Sequence, residues 1–168
     1  MLQFYKYQGT GNDFVIMDNR EGKISLTTEQ VKHICDRRFG IGADGLMLLN
    51  SLHGYDFEMK YYNADGRESS MCGNGGRCLT RFAYDMGIHK SSYLFLAVDG
   101  EHEAEIGEHG WIRLKMKDVQ GIDHHHGDSV LDTGSPHYIK SVQQIMELNV
   151  FEEGRSIRNS KDFVAKGI

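Results

Sequence analysis

Residues 71–78 read MCGNGGRC, two cysteines around Gly73, Asn74, Gly75, Gly76 and Arg77. A thiol acts as base or nucleophile only as the thiolate, and a free cysteine ionises at about 8.5, so catalysis near neutrality needs an environment that favours the anion. A helix N-terminus is such an environment. The segment RCLTRFAYDMG, residues 77–87, sets Leu79, Phe82, Ala83 and Met86 on one helical stripe and offers Gly87 as a stop. A helix that begins inside the glycine run puts Cys72 at or just before its first turn. There the backbone N–H groups lack internal partners and carry the positive end of the dipole, which attracts an anion. Gly73, Gly75 and Gly76 are expected to let a ligand approach the backbone, their N–H groups holding a carboxylate or phosphate. Cys72 then reads as a reactive thiol facing a bound anion.

Other chemistry fits this run less well. Cys72 and Cys78 are six apart with no second pair to complete a zinc site, so no metal is expected. A phosphate-binding loop would need Lys followed by Ser or Thr after the glycines, and it is absent. Cys78 precedes Leu79 on the apolar stripe and reads as an inert core thiol; Cys35, near Val31 and Ile34, reads the same way. The tract His124–His126, flanked by Asp123 and Asp128, is expected in a solvated polar loop.

The elements that must position Cys72 are mostly strands. In DFEMKYY, Phe57, Met59 and Tyr61 share one face; in WIRLKM, Ile112, Leu114 and Met116 do. Further strands are expected at LQFYKY, DFVIMD, GLMLLN, YLFLAV and EAEI, with Glu108, His109 and Gly110 turning the chain before Trp111. A first helix is signalled in LTTEQVKHICDRRFG: Thr27 caps, Gln30 completes a capping box, Leu26 staples to Val31, and Gly40 is expected to end it. Many antiparallel strands with two helices indicate an α+β fold.

The whole chain bounds the partners. With 168 residues, 39% of them hydrophobic, one sizeable core or one lobe of something larger is affordable. A net charge of −5 gives no electrostatic reason to expect nucleic acid or an anionic membrane, so a small soluble partner fits better. No apolar run is long enough to span a bilayer, the start MLQFYKYQGTGNDF lacks signal-peptide regions, and an odd count of three cysteines suits a reducing compartment. These point to the cytoplasm.

Four motifs in order, GTGNDFVIMD, RRFGIGADG, YYNADG and MCGNGGRC, span roughly the first 80 residues and resemble diaminopimelate epimerase, with DTGSPHYI similar to the family's entry into its second lobe. The resemblance implies interconversion of LL- and meso-2,6-diaminopimelate without pyridoxal phosphate or any other cofactor. Two cysteines would act on opposite faces of the α-carbon, Cys72 supplying the proton in the LL-to-meso direction. It further implies that Asn12 and Asn63 hold the substrate, that the Gly73 and Asn74 N–H groups stabilise charge on its carboxylate, and that Ser135 and His137 lie in the pocket. Asn12 and Asn63 taken alone would read as turn residues, and Asp44 and Asp65 as loop-ordering residues. Two positions depart from the family: Ser135, where Asn is common, and Gly45, where some members carry a polar residue.

The implied fold is two pseudo-symmetric lobes, each a sheet wrapped around a central helix, with the site in the cleft between them. Residues 1–117 would form the first lobe and 118–168 the start of the second. Family chains are about half as long again or more, so the sequence reads as truncated before the second cysteine and an Arg for the substrate carboxylate. A homodimer is kept open. So are a related cofactor-independent isomerase, of the proline-racemase or phenazine-biosynthesis kind, and a non-catalytic lobe that binds an amino acid or a partner chain.

Overall fold

A computed structural model describes residues 2–165 and 168. They form two compact units, Met1–Met116 and Lys117–Ile168. The first holds seven strands, β1 (Tyr5–Gly9), β2 (Asn12–Asp18), β3 (Gly45–Asn50), β4 (Phe57–Asn63), β5 (Ser92–Ala97), β6 (Gly100–Ile106) and β7 (Ile112–Leu114), and two helices, α1 (Thr28–Cys35) and α2 (Gly73–Asp85). The strands make one sheet in sequence order, antiparallel except for the β2–β3 and β4–β5 pairs. A parallel pair needs a crossover, and the helices supply both. α1 connects β2 to β3 and α2 connects β4 to β5.

The two helices lie on opposite faces of the sheet. α2 touches β1, β2, β3, β4, β6 and β7, so the sheet curls around it as a half-barrel. Leu79, Phe82 and Ala83 of α2 are buried among Phe14, Ile16, Met47, Leu49, Phe57 and Phe95. On the other face Val31 and Cys35 of α1 pack with Val15, Met17, Leu46 and Leu48. β3 is therefore covered on both sides, which is why GLMLLN shows no polar alternation, whereas β4 alternates buried and half-buried residues.

Local signals set the helix ends. Thr27 makes the capping box with Gln30, and Leu26 packs in the same cluster as Val31. α1 stops at Cys35, not at Gly40 as expected. The Asp36 carboxylate accepts the N–H groups of Arg38 and Phe39, both at 2.7 Å, and offers the backbone a turn in place of another helical turn. Gly87, at φ 94°, ends α2 as expected. β1 begins at Tyr5 instead of Leu2, and β7 is only three residues long.

The second unit contains β8 (Asp123–His125), β9 (Asp128–Asp132), β10 (Pro136–Ile139) and α3 (Val150–Arg158), the strands forming a separate antiparallel sheet in the order β10-β9-β8. The histidine tract is thus not a loop. His124 and His125 are in β8, His126 and Gly127 turn at positive φ, and half-buried His125 sits edge-on to Phe163 with Asp162 at 3.4 Å. Among the described residues no helix is long and apolar enough to cross a membrane.

Candidate active site

The ends of β1, β2, β3 and β4 meet the start of α2 at one edge of the half-barrel. β1 and β2 are joined by Thr10 and Gly11, at φ 54° and 87°, the two positive-φ positions of a tight hairpin. A β-branched residue is rare there. The Thr10 hydroxyl lies 2.7 Å from the Gly9 carbonyl and 3.2 Å from Asn74 Oδ1, sharing its one proton between the turn itself and α2. The hairpin delivers Asn12 as the first residue of β2.

Cys72 is the N-cap of α2, in extended conformation, and its side chain makes no capping bond. Its half-buried sulfur instead donates to Asn12 Oδ1 at 3.7 Å. Asn74 Nδ2 also donates to Asn12 Oδ1, at 3.4 Å, while Arg77 donates to Asn74 Oδ1. Two amides and one thiol thus converge. Among the described residues no acceptor takes the N–H groups of Gly73 and Asn74. They remain available to an anion.

Two of the expected ligand-facing glycines serve another purpose. A Cβ on Gly76 would lie 2.8 Å from Met71 Cε, and one on Gly75 3.1 Å from Met47 Sδ. These buried glycines let α2 sit close against the sheet. At Gly73 the nearest atom would be 3.6 Å away, so that glycine alone of the three keeps the room a ligand would need.

Gly45 has a steric cause that the sequence did not reveal. A Cβ there would fall 2.5 Å from the ring and 2.9 Å from the hydroxyl of Tyr61 on neighbouring β4. Tyr61 is 9% exposed, and burial and then the adjacent Cys72 push its phenol well above the ordinary value. An aromatic ring therefore occupies the space that a side chain at 45 would fill. Alternation along β4 placed Tyr61 inward but gave no hint of this exchange.

Asn63 ends β4 opposite Gly45 and is exposed; its Nδ2 donates to Ser69 Oγ at 3.0 Å, and its backbone carbonyl accepts from Gly66. Asp65 orders the same turn by accepting the Arg67 N–H. Ser135 and His137 belong to the second unit. His137 Nδ1 donates to the Ser135 carbonyl at 2.7 Å, since a carbonyl oxygen can only accept. Cys35 and Cys78 are buried, and burial pushes each thiol up to about 11. Cys72 is the more accessible of the three.

A helix enclosed by a curled mixed sheet is an architecture shared with solved structures. The Bacillus anthracis phenazine biosynthesis protein of the PhzF family aligns with a TM-score of 0.54 at 20% identity, over 83% of this chain and 55% of that one. A hydroxyproline epimerase from Agrobacterium vitis aligns at 0.60 and 12% identity, over 88% of this chain and 53% of that one. At such identities the likeness shows the fold class alone, one that a phenazine biosynthesis protein and a hydroxyproline epimerase share.

Sequence then narrows the class. The chain belongs to the diaminopimelate epimerase family, whose model matches residues 4–121. The diaminopimelate epimerase of Flavobacterium psychrophilum is 48% identical over 160 residues, covering 95% of this chain and 62% of that protein. The chain thus spans about three-fifths of that relative's length.

Proposed function

We propose that Cys72 is one of the two acid–base thiols of a diaminopimelate epimerase. The observation that carries this reading is the cap position itself, where a half-exposed sulfur stands beside the unclaimed N–H groups of Gly73 and Asn74 and 3.7 Å from Asn12 Oδ1. The substrate α-carboxylate would accept from those N–H groups, which stabilise the charge that builds as the α-proton leaves. Asn63 would contact the substrate through its amide oxygen, its amide nitrogen being engaged within the protein, and Asn12 is proposed as a contact on the family likeness. Ser135 and His137 are proposed as further contacts on the family likeness.

Proton balance sets the division of labour. In the meso-to-LL direction the Cys72 thiolate takes the α-proton from one face, and a thiol on the opposite face returns one. In the LL-to-meso direction Cys72 is the donor. Cys35 and Cys78 are buried in the two cores on either side of the sheet and cannot play the second part. The polypeptide of residues 1–168 is therefore expected to act on one face only. In D2O it should place deuterium on the α-carbon of meso-diaminopimelate with retention, lose this with Cys72→Ala, and form no meso isomer from the LL substrate. Deuteration no greater than in Cys72→Ala would overturn diaminopimelate as the substrate. Cys72-dependent formation of meso product would overturn the need for a second thiol.

A further inference from the structure

Asn12 Nδ2 donates to Asp44 Oδ2 at 2.7 Å. A carboxylate only accepts, so the nitrogen of this amide must face Asp44 and the oxygen must face away. The oxygen so directed is the one that accepts from Cys72 Sγ and Asn74 Nδ2. Asp44 is itself held. Its Oδ2 accepts the Asp13 N–H at 3.2 Å, its Oδ1 accepts Arg37 Nη2 at 2.8 Å, and its own N–H donates to the Asp13 carbonyl at 3.0 Å. Arg37 also pairs with Asp13 at 2.7 Å, and so does Lys6. Nothing in this network touches the sulfur except Asn12.

We infer that Asp44, clamped by Arg37, is a positioning residue that fixes the Asn12 amide so that its oxygen receives the Cys72 thiol proton. The inference deepens the acid–base reading of Cys72, on which its catalytic meaning rests. The fixed oxygen gives the S–H group one acceptor and aims the bond along one line. Without Asp44 the amide is free to turn. With its nitrogen towards Cys72, the sulfur loses the acceptor for its proton.

The test reads the sulfur directly and needs no substrate, so it stands apart from the isotope experiment. Second-order labelling of Cys72 by iodoacetamide at fixed pH, in the 168-residue chain, is compared across Asn12→Ala, Asp44→Ala, Asp44→Asn and the double variant Asn12→Ala/Asp44→Ala. Loss of the acceptor in Asn12→Ala and its misdirection in Asp44→Ala should each quicken labelling about fivefold, the size of one hydrogen bond. Asp44→Asn should restore the native rate to within about twofold, since an amide nitrogen would meet two donors at the Oδ2 position and only Arg37 at the Oδ1 position, so the oxygen stays towards Asn12. The double variant should label no faster than Asn12→Ala, because Asp44 acts only through Asn12. An Asp44→Ala chain that melts earlier but labels at the native rate when folded would overturn the inference. So would an undiminished effect of Asp44→Ala in the Asn12→Ala background.

Discussion

The two units of this chain are built to different densities. Residues 1–116 bury large side chains on both faces of one sheet, with Phe14, Phe57, Phe82 and Phe95 all at 0% exposure. Among the described residues Phe163 is the one buried apolar side chain of 117–168. There α3 buries none of its residues, and Ile145, Met146, Val150 and Phe151 stand exposed. The contrast shows where the free energy of folding is concentrated. The first unit has a core able to offset its conformational entropy, while the second leaves much of its apolar surface in water.

The sharpest way to break this contrast is Phe82→Ala. Its ring lies 5.1 Å from that of Tyr5 and 5.7 Å from that of Tyr7 at the centre of the half-barrel. Truncation should cost about 3–5 kcal/mol, read as a lowered urea midpoint at constant slope. Next in size is thiol selectivity. A polypeptide of residues 1–116 should fold alone and label Cys72 about a hundredfold faster than Cys35 or Cys78, whose thiols are raised to about 11. Peptide mapping after brief alkylation would show it, and equal labelling of all three would mean that the first unit does not hold its core unaided.

Phe163→Ala should cost about 2 kcal/mol of local stability, because the ring packs against His125 and Tyr138 and is the one buried apolar side chain among the described residues of its unit. Hydrogen exchange should quicken in 117–168 and stay unchanged in 1–116; spread of the effect into α2 would show that the units unfold together. The smallest effect concerns acid. Asp13 is held well below the usual carboxylate range, first by its hydrogen bonds to Arg37 and then by Lys6, against an opposing push from partial burial. A depressed folded value gives stability that is present above the unfolded value of about 3.9 and is lost as pH falls towards the folded one. Asp13→Asn should therefore cost about 1 kcal/mol at pH 7. Its urea midpoint should converge on that of the native chain in acid, and a constant gap down to pH 2 would assign the loss to packing.

Much of the first unit was legible in the sequence because its signals are local. Alternation in DFEMKYY, the capping box at Thr27 and the stop at Gly87 each depend on residues a few positions apart. Cys72 was legible for the same reason, its helix following directly in the chain. The Asp36 turn that cuts α1 short was not, since the glycine four residues on was the more obvious stop. Gly45 needed the ring of Tyr61 from another strand to explain it. The orienting of Asn12 by Asp44 needed residues 32 positions apart to meet. In the second unit the strands are short, β9 half-buried and β8 and β10 mostly exposed, and such segments carry little periodic signal.

The parallel pairing of β2 with β3 also sets an order in time. The β1–β2 hairpin closes through a two-residue turn, an event of about 1–10 μs, and it brings Asn12 into place beside Gly9. Asp44 arrives only when β3 docks alongside β2, after α1 has carried the chain back, and contacts of such long sequence separation form later. Because Asp44 lies ahead of Cys72 in the chain, a polypeptide leaving the ribosome N-terminus first can aim the Asn12 amide before the thiol that it faces has emerged.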